Sequence, residues 1–292
     1  MRIDLHTHSR VSDGTDSPSE LVRAARAARL DVVALTDHDT SAGWSEAAAA
    51  ARVEGIELVR GMEISTDHHG HGVHLLAYLP DPTYPPLVEE LARILEGRDG
   101  RLPTMIARLQ ELGIDLTLDD VAAVSGDAAA SGRPHVADAL VAKGVVASRD
   151  EAFDRYLSSG RPAYVGRYAA PLVSMIRIVA AAGGATVIAH PWGRSGRGRP
   201  DQADLGPLVE AGLAGLEVDH QDHGPVERRE LRAIARNLDL VVTGSSDYHG
   251  AGKTGHGLGV NTTEAEEYAR LLDRAAAASA ASGRTTPEVV RG

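Results

Sequence analysis

Short apolar runs alternate with amphipathic, alanine-rich stretches along the first third of the chain. Residues 2–6 read as a short strand. Ser17-Pro18-Ser19-Glu20 then reads as a helix start. Ser17 can cap, Pro18 fits a first turn where its missing N–H is not needed, and Glu20 stands where a capping box places it. The helix LVRAARAARL leads into a buried-type strand, VVALT. An alanine-rich helix over 43–54 follows, then the strands IELVRGMEIS and VHLLAYL. Strands alternating with helices predict an α/β chain with a mainly parallel sheet or barrel, its site at the C-terminal strand ends.

The rhythm breaks at about residue 85. From there to about 165 the pattern is helical, in PLVEELARILEG, TMIARLQELG, HVADALVAKG and DEAFDRYLSSG, with no buried strand between them. This predicts an inserted helical cap subdomain over 85–165, flanked by barrel segments 1–84 and 166–292. Alternation resumes with a helix at 171–182, strand ATVIAH, a helix near 205–212, strand GLEVD, a helix at 226–237, strand LVVTGSS and a last helix at 264–282. The tail from about 283 reads as frayed.

With 292 residues, 43% of them hydrophobic, a sizeable core is available. There is no cysteine, so disulfides and thiolate ligands are excluded and any metal is held by nitrogen and oxygen. No run approaches the ~20 apolar residues of a membrane span. The N-terminus enters strand-like IDLHTH directly, without the apolar core of a signal peptide, which points to the cytoplasm. A net charge of −11 argues against a general nucleic-acid-binding surface. Against that background the stretch from Arg155 to Pro200 has no Asp, Glu or Lys but holds Arg155, Arg161, Arg167, Arg177, Arg194, Arg197 and Arg199. The chain's only lysines are Lys143 and Lys253, which explains arginine over lysine. It does not explain the missing acids, and a site for a small anion does.

Nine potential metal ligands sit at the ends of these strands: His6, His8 and Asp13 in IDLHTHSRVSDG, His38 in VVALTDHDT, Glu63 in LVRGMEIS, His74 in GVHLLAYL, His190 in ATVIAHPW, and Asp247 with His249 in VVTGSSDYHG. On a strand, His-x-His puts both imidazoles on one face. Imidazole and carboxylate suit Zn, Mn and Fe. Six His and three carboxylates exceed the needs of one ion, so the pattern predicts a multinuclear centre in a hydrolytic enzyme. Asp37 and Asp39 flank His38 and are placed to orient its ring. His220, Asp222 and His223 follow the strand GLEV and can line the pocket. His68, His69 and His71 read as an exposed turn, and His256 as a loop residue.

In order along the chain, HxH, TDHD, a strand-end Glu, AHP and SDxH resemble the PHP (polymerase and histidinol phosphatase) family. The resemblance implies a distorted seven-stranded β/α, TIM-like barrel holding two or three divalent ions (Mn, Fe or Zn). By it, one ion falls to His6, His8, Glu63 and Asp247. A second falls to Glu63, His74 and His190, and a third to Asp13, His38 and His249. The helical insertion and GRPH at 132–135 resemble the branch acting on nucleoside 3′,5′-bisphosphates and on 5′ ends of short RNA. That implies a phosphomonoesterase in which hydroxide generated at the metals attacks phosphorus. Asp247 or His249 would protonate the leaving group, and Arg133, His135, Arg161 and, less centrally, Arg194 would bind substrate phosphate. Adenosine 3′,5′-bisphosphate is the leading substrate.

Three rival readings compete with this one. A histidinol-phosphate phosphatase lacks the GRPH-bearing insertion. Many C–N amidohydrolases also begin with HxH but bridge two metals through a carboxylated lysine on a central strand, where neither Lys143 nor Lys253 is predicted to lie. A non-catalytic metal-binding module would be expected to have lost some of the nine ligands.

Overall fold

The structure, a computed structural model, describes residues 1–193 and 199–292. Seven strands form a nearly closed ring: β1 (Ile3–Asp4), β2 (Val32–Leu35), β3 (Glu57–His68), β4 (His71–Tyr78), β6 (Ala185–Ile188), β7 (Leu213–Asp219) and β8 (Val241–Gly244). The two-residue β5 (Ala170–Pro171) pairs only with β3. Thr7 bridges Tyr248 between the first and last strands, where the His8 N–H donates to the Tyr248 carbonyl at 2.8 Å. All neighbours in the ring are parallel except β4, which is antiparallel to both β3 and β6. That reversal is the distortion. It comes from a tight hairpin whose central residues, His69 and Gly70, have φ of 54° and 80°, the positive pair of a type I′ turn.

Alternation along the strands divides the core in two. Val32 and Ala34 join Ile3, Leu5, Val59, Leu76, Val187 and Val241 in one cluster, closed off by Tyr268, Leu271 and Ala275 of α10 (Ala265–Ser282). Val33 and Leu35 point the other way, into the layer between the strands and α1 (Pro18–Ala27), α2 (Trp44–Glu54), α7 (Leu172–Ala181), α8 (Gln202–Glu210) and α9 (Pro225–Asn237). The capping box at Ser17 forms: its side chain accepts the Glu20 N–H at 3.2 Å, and the Ser17 N–H donates to Glu20 at 2.8 Å.

Between β4 and β5 the chain is helical. α3 (Pro85–Glu111) merges the two segments that the sequence separates, running through Gly97, Gly100 and Pro103. An interior proline ordinarily costs about 3 kcal/mol of helix stability. Here burial on both sides of Pro103 holds the helix: Leu87 and Ile94 pack toward the barrel, and Leu102, Met105, Ile106 and Leu109 pack into a separate core. α4 (Leu118–Ser125), α5 (Arg133–Ala142) and α6 (Arg149–Ala152) complete that second core.

The C-terminal tail departs from the sequence reading. Val290 exchanges backbone hydrogen bonds with Leu58 at 2.9 and 3.0 Å and is buried. It bridges Leu58 along the edge of β3 and its side chain joins the outer core cluster, so the segment packs rather than frays. Among the described residues no helix is long and apolar enough to cross a membrane.

Candidate metal centre

The nine residues converge at one end of the barrel. His6 and His8 follow β1, Asp13 lies in the next loop, and His38 follows β2. Glu63 sits within β3, beside His38. His190 follows β6, and Asp247 and His249 follow β8. His74 is the exception. It belongs to the first half of β4 and reaches the same end because that strand runs backwards. Seven of the nine are buried; His74 and His190 are half-buried.

Four atoms approach one another closely: His6 Nε2, His8 Nε2, Glu63 Oε2 and Asp247 Oδ1. The two imidazole nitrogens are 3.0 Å apart. Glu63 Oε2 is 3.3 and 3.2 Å from them, and Asp247 Oδ1 is 3.5 Å from each. Ligands ~2.0–2.1 Å from a tetrahedral ion stand roughly 3.3–3.4 Å from one another, so this donor set fits a divalent cation in both chemistry and spacing. The other Glu63 oxygen stands 2.8 Å from His74 Nδ1 and 3.1 Å from His190 Nε2. Asp13 takes His249 Nε2 at 3.3 Å on one oxygen and His38 Nε2 at 3.6 Å on the other. His38 Nδ1 is 3.2 Å from Glu63 Oε2, so its ring stands between the groups. Burial works to raise all three carboxyls. The imidazoles outweigh it at Glu63 and Asp13, and Lys253 with His6 and His249 does so at Asp247, holding each well below the usual carboxylate range.

The ligands are held from behind. Glu217 of β7, fully buried, lies 3.1 Å from His6 Nδ1. A carboxylate there fixes the tautomer with hydrogen on Nδ1 and the lone pair on Nε2. The same Glu217 accepts the His190 N–H at 2.8 Å and the Ser245 hydroxyl, joining three strand ends. His249 Nδ1 donates to the Asp247 carbonyl at 2.9 Å, which turns its Nε2 lone pair toward Asp13. Asp39, His190 and Asp247 all have positive φ, at 55°, 30° and 52°. Such strain in non-glycine residues gathers at functional sites. Gly14 is required for close approach, since a Cβ there would meet the His8 carbonyl oxygen at 2.3 Å.

Asp37 and Asp39 do not hydrogen-bond the His38 ring. Asp37 accepts from the Ser9 N–H, the Ser9 hydroxyl and the Ser12 hydroxyl at 2.8, 2.6 and 2.6 Å, fixing the loop after the HxH pair. Asp39 accepts from the Ser65 N–H at 2.6 Å and from Arg98 Nε at 2.7 Å. Both carboxylates are thus taken up by donors other than the imidazole. His220 and His223 are buried, and His220 touches Asp247 at 3.2 Å. His256 is a loop residue, but a buried one. His69 and His71 are exposed and His68 partly so.

Beside this centre, toward the helical insertion, arginines gather. Arg98 and Arg101 of α3 are both buried. A Cβ at Gly132 would stand 3.1 Å from Arg98 Nη1 and 3.4 Å from Arg101 Nη2, so the GRPH turn lies directly against both guanidinium groups. Arg98 also donates to the Ser65 hydroxyl at 2.9 Å. Arg101 Nε is buried without a hydrogen-bond partner among the described residues. Burial, then Arg133, Arg167 and Arg98, push its pKa down to about 8. Arg133 donates to the Leu157 carbonyl at 3.2 Å and lies over the rings of Tyr164 and Phe153. His135 is buried, and its Nδ1 accepts the Gly132 N–H at 3.1 Å. Arg161 is exposed. Arg194 and Arg197 fall outside the described residues, and Arg199 stands over Trp192 and 3.7 Å from Glu227. Lys143 caps the end of α5, and Lys253 follows a short 3₁₀ turn, so neither lies on a barrel strand.

Glu217, Lys253, Arg98 and Arg101 escaped the sequence reading. For Glu217 a signal existed, an acid inside the apolar strand AGLEVD. The two arginines carry no such mark, because charges on a helix usually face solvent.

Comparison with known proteins agrees with this geometry. The PHP domain model matches residues 4–116. The chain is 36% identical over 258 residues to a 3′,5′-nucleoside bisphosphate phosphatase of Chromobacterium violaceum, covering 88% of this chain and 90% of that protein. It is 36% identical over 248 residues to a 5′-3′ exoribonuclease of Haemophilus influenzae, covering 85% and 90%. A crystal structure from Bifidobacterium adolescentis, described as a metal-dependent phosphoesterase, superposes with a TM-score of 0.88 at 38% identity, covering 93% of this chain and 96% of that one. With the ligand order, the barrel and these relatives in agreement, the chain belongs to the PHP domain family.

Proposed function

We propose that this protein is a metal-dependent phosphomonoesterase that removes a phosphate from nucleoside 3′,5′-bisphosphates, such as adenosine 3′,5′-bisphosphate, and acts on the 5′ ends of short RNA. The observation that carries the reading is the placement of a buried, anion-seeking arginine cluster beside a set of metal ligands. Arg98 bonds Asp39, the residue after the ligand His38, and it lies against the GRPH turn together with Arg101. A substrate with two phosphates needs both places. The bisphosphate phosphatase and exoribonuclease among its relatives support the same reading.

In this reading His6, His8, Glu63 and Asp247 hold one divalent ion, Glu63 with His74 and His190 a second, and Asp13, His38 and His249 a third. Mn, Fe and Zn all suit such nitrogen and oxygen donors. Bound ions supply positive charge against the phosphoryl oxygens and acidify water toward neutral pH. Glu217 keeps His6 in the ligating tautomer. Asp247 and His249 serve as ligands more than as acids: both oxygens of Asp247 and both nitrogens of His249 already face partners. Arg101 and Arg133, with His135, grip the phosphate that does not react, through charge-assisted hydrogen bonds. Arg161, being exposed, is an outer member of this group, and Arg194 is a further candidate outside the described residues. The helical segment over 85–165 acts as a cap that carries the grip to the barrel, and the cytoplasm is the setting we assign.

Phosphate release is the test. Metal-loaded enzyme is offered adenosine 3′,5′-bisphosphate, the matching monophosphates, histidinol phosphate and short 5′-phosphorylated RNA. The bisphosphate should give the highest kcat/KM. Preference for histidinol phosphate would overturn the substrate assignment.

A further inference from the structure

The Asp247 carboxylate divides its two oxygens between different neighbours. Oδ1 stands 3.5 Å from His6 Nε2 and from His8 Nε2. Oδ2 meets His220 Nε2 at 3.2 Å and the Lys253 ammonium group. The tautomer of His220 is fixed from its far side, where the Asp222 N–H donates to Nδ1 at 3.1 Å. Nδ1 therefore carries the lone pair and Nε2 the hydrogen. His220, Asp247 and His256 lie close enough together to suggest a further cation site. An Nε2–H aimed at a carboxylate has no lone pair for a cation, so at Asp247 His220 acts as a donor. Its ring is fully buried, with the rings of His190, His256 and His223 at 5.1, 5.6 and 5.9 Å.

A carboxylate open on both oxygens can take a cation in one-oxygen or two-oxygen fashion. Two N–H donors on Oδ2 remove the second option. Asp247 also holds a left-handed backbone conformation, which persists only when its surroundings over-determine it. We propose that His220 and Lys253 are positioning residues that hold Asp247 to a single metal-facing oxygen and so set the affinity of the ion shared with His6 and His8. The inference rests on the metal-centre reading above. Lys253 is one of only two lysines in the chain, and its compact ammonium group supplies a full charge at one point.

The test uses the full-length protein, stripped and reloaded with Co²⁺ as the probe. Bound ions per chain are measured against free Co²⁺ in a chelator buffer, and the visible absorption of Co²⁺ is recorded. Wild type, Lys253→Met, Lys253→Arg and His220→Gln are compared. Lys253→Met should weaken one ion by roughly 10- to 100-fold, the usual effect of losing a group that orients a ligand. The remaining ions should keep their affinity, and the absorption of the weakened ion should change. Lys253→Arg, which keeps the charge and the donor, should recover most of the loss. Lys253 is partly exposed, so methionine there leaves the fold intact and keeps the test usable if His220→Gln fails to fold. Wild-type loading and spectra in Lys253→Met would overturn the proposal, as would equal weakening of every ion. A wild type that binds no Co²⁺ would instead overturn the metal-centre reading on which it stands.

Discussion

Glu217 and His6, 211 positions apart, stand 3.1 Å from each other with neither exposed to solvent. The carboxylate reaches the imidazole at Nδ1, opposite the Nε2 that faces Glu63 and Asp247, so it orients the ring from behind. Glu217→Leu removes this acceptor and also frees the His190 N–H and the Ser245 hydroxyl. We expect metal affinity to fall about 10- to 100-fold, read as ions retained per chain after chelator dialysis. Glu217→Gln, which still accepts from His6, should lose less. Equal retention in all three proteins would show that Glu217 only packs.

Arg101 is the clearest trade between stability and binding. Its guanidinium is buried among other cations, with Nε unpartnered among the described residues, an arrangement that burial alone disfavours. Arg101→Met should therefore raise Tm in anion-free buffer. It should also lower kcat/KM for a 3′,5′-bisphosphate by roughly 10- to 100-fold, about 1.5–3 kcal/mol for a charged hydrogen bond, with little change for a monophosphate. Arg133→Ala should lower the same constant in the same direction. Sulfate should raise the Tm of wild type but not of Arg101→Met, by ligand linkage. Equal kinetic losses on both substrate types would move these residues to the reacting phosphate.

Asp81 offers a pH test away from the metals. Its carboxylate accepts from the Thr83 N–H, the Thr83 hydroxyl and Arg284 at 2.9, 2.6 and 3.1 Å. Burial works to raise it, but these donors hold it below its ordinary value. The fold thus favours the ionised form. The stabilisation is complete above the unfolded pKa of ~3.9 and is lost as pH falls through the lower folded value. Asp81→Asn should lower Tm at pH 7 by about 2–4 °C, for a loss of about 1 kcal/mol. The gap to wild type should shrink below pH ~4. A gap of the same size at pH 7 and pH 3 would contradict this.

The packed tail can be checked by truncation. Deleting residues 287–292 removes the two Val290–Leu58 hydrogen bonds and uncovers buried apolar surface. A loss of about 2 kcal/mol follows from burying one valine, or roughly 4–8 °C in Tm for a chain of this size. Thermal unfolding of the metal-free protein would show it, and an unchanged Tm would return the segment to the frayed state.

What the sequence made legible follows from where its information is local. HTH, TDHD and SDYH each place several ligand-type side chains within a few residues of a strand end, so the strand-end site and five of its nine candidate ligands could be read directly. His74 could be placed only by type, since its end of the barrel depends on a strand reversal made by the His69–Gly70 turn. Lys253 lies in a glycine-rich loop with no periodicity to mark it. Arg98 and Arg101 look like the solvated face of a helix until Asp39 and Gly132 arrive from elsewhere in the chain. The merger of two helices across Pro103 was hidden because proline chemistry argues locally for a break and tertiary burial decides otherwise.

The reversal of β4 has one more consequence. Because that strand runs backwards, the chain leaves it at the end of the barrel opposite the metal ligands and must climb the full height of the ring to bring arginines to the site. The first half of α3, from Pro85 to Arg98, makes that climb, and at ~1.5 Å per residue it spans roughly 20 Å. Helical phase therefore couples the two halves of the candidate site. Inserting one residue between Leu87 and Arg98 would turn both arginines by about 100° and lift them ~1.5 Å, while every metal ligand kept its place. If Arg98 and Arg101 meet an anion as proposed, the length of this helix would set how far that anion lies from the candidate metal ligands.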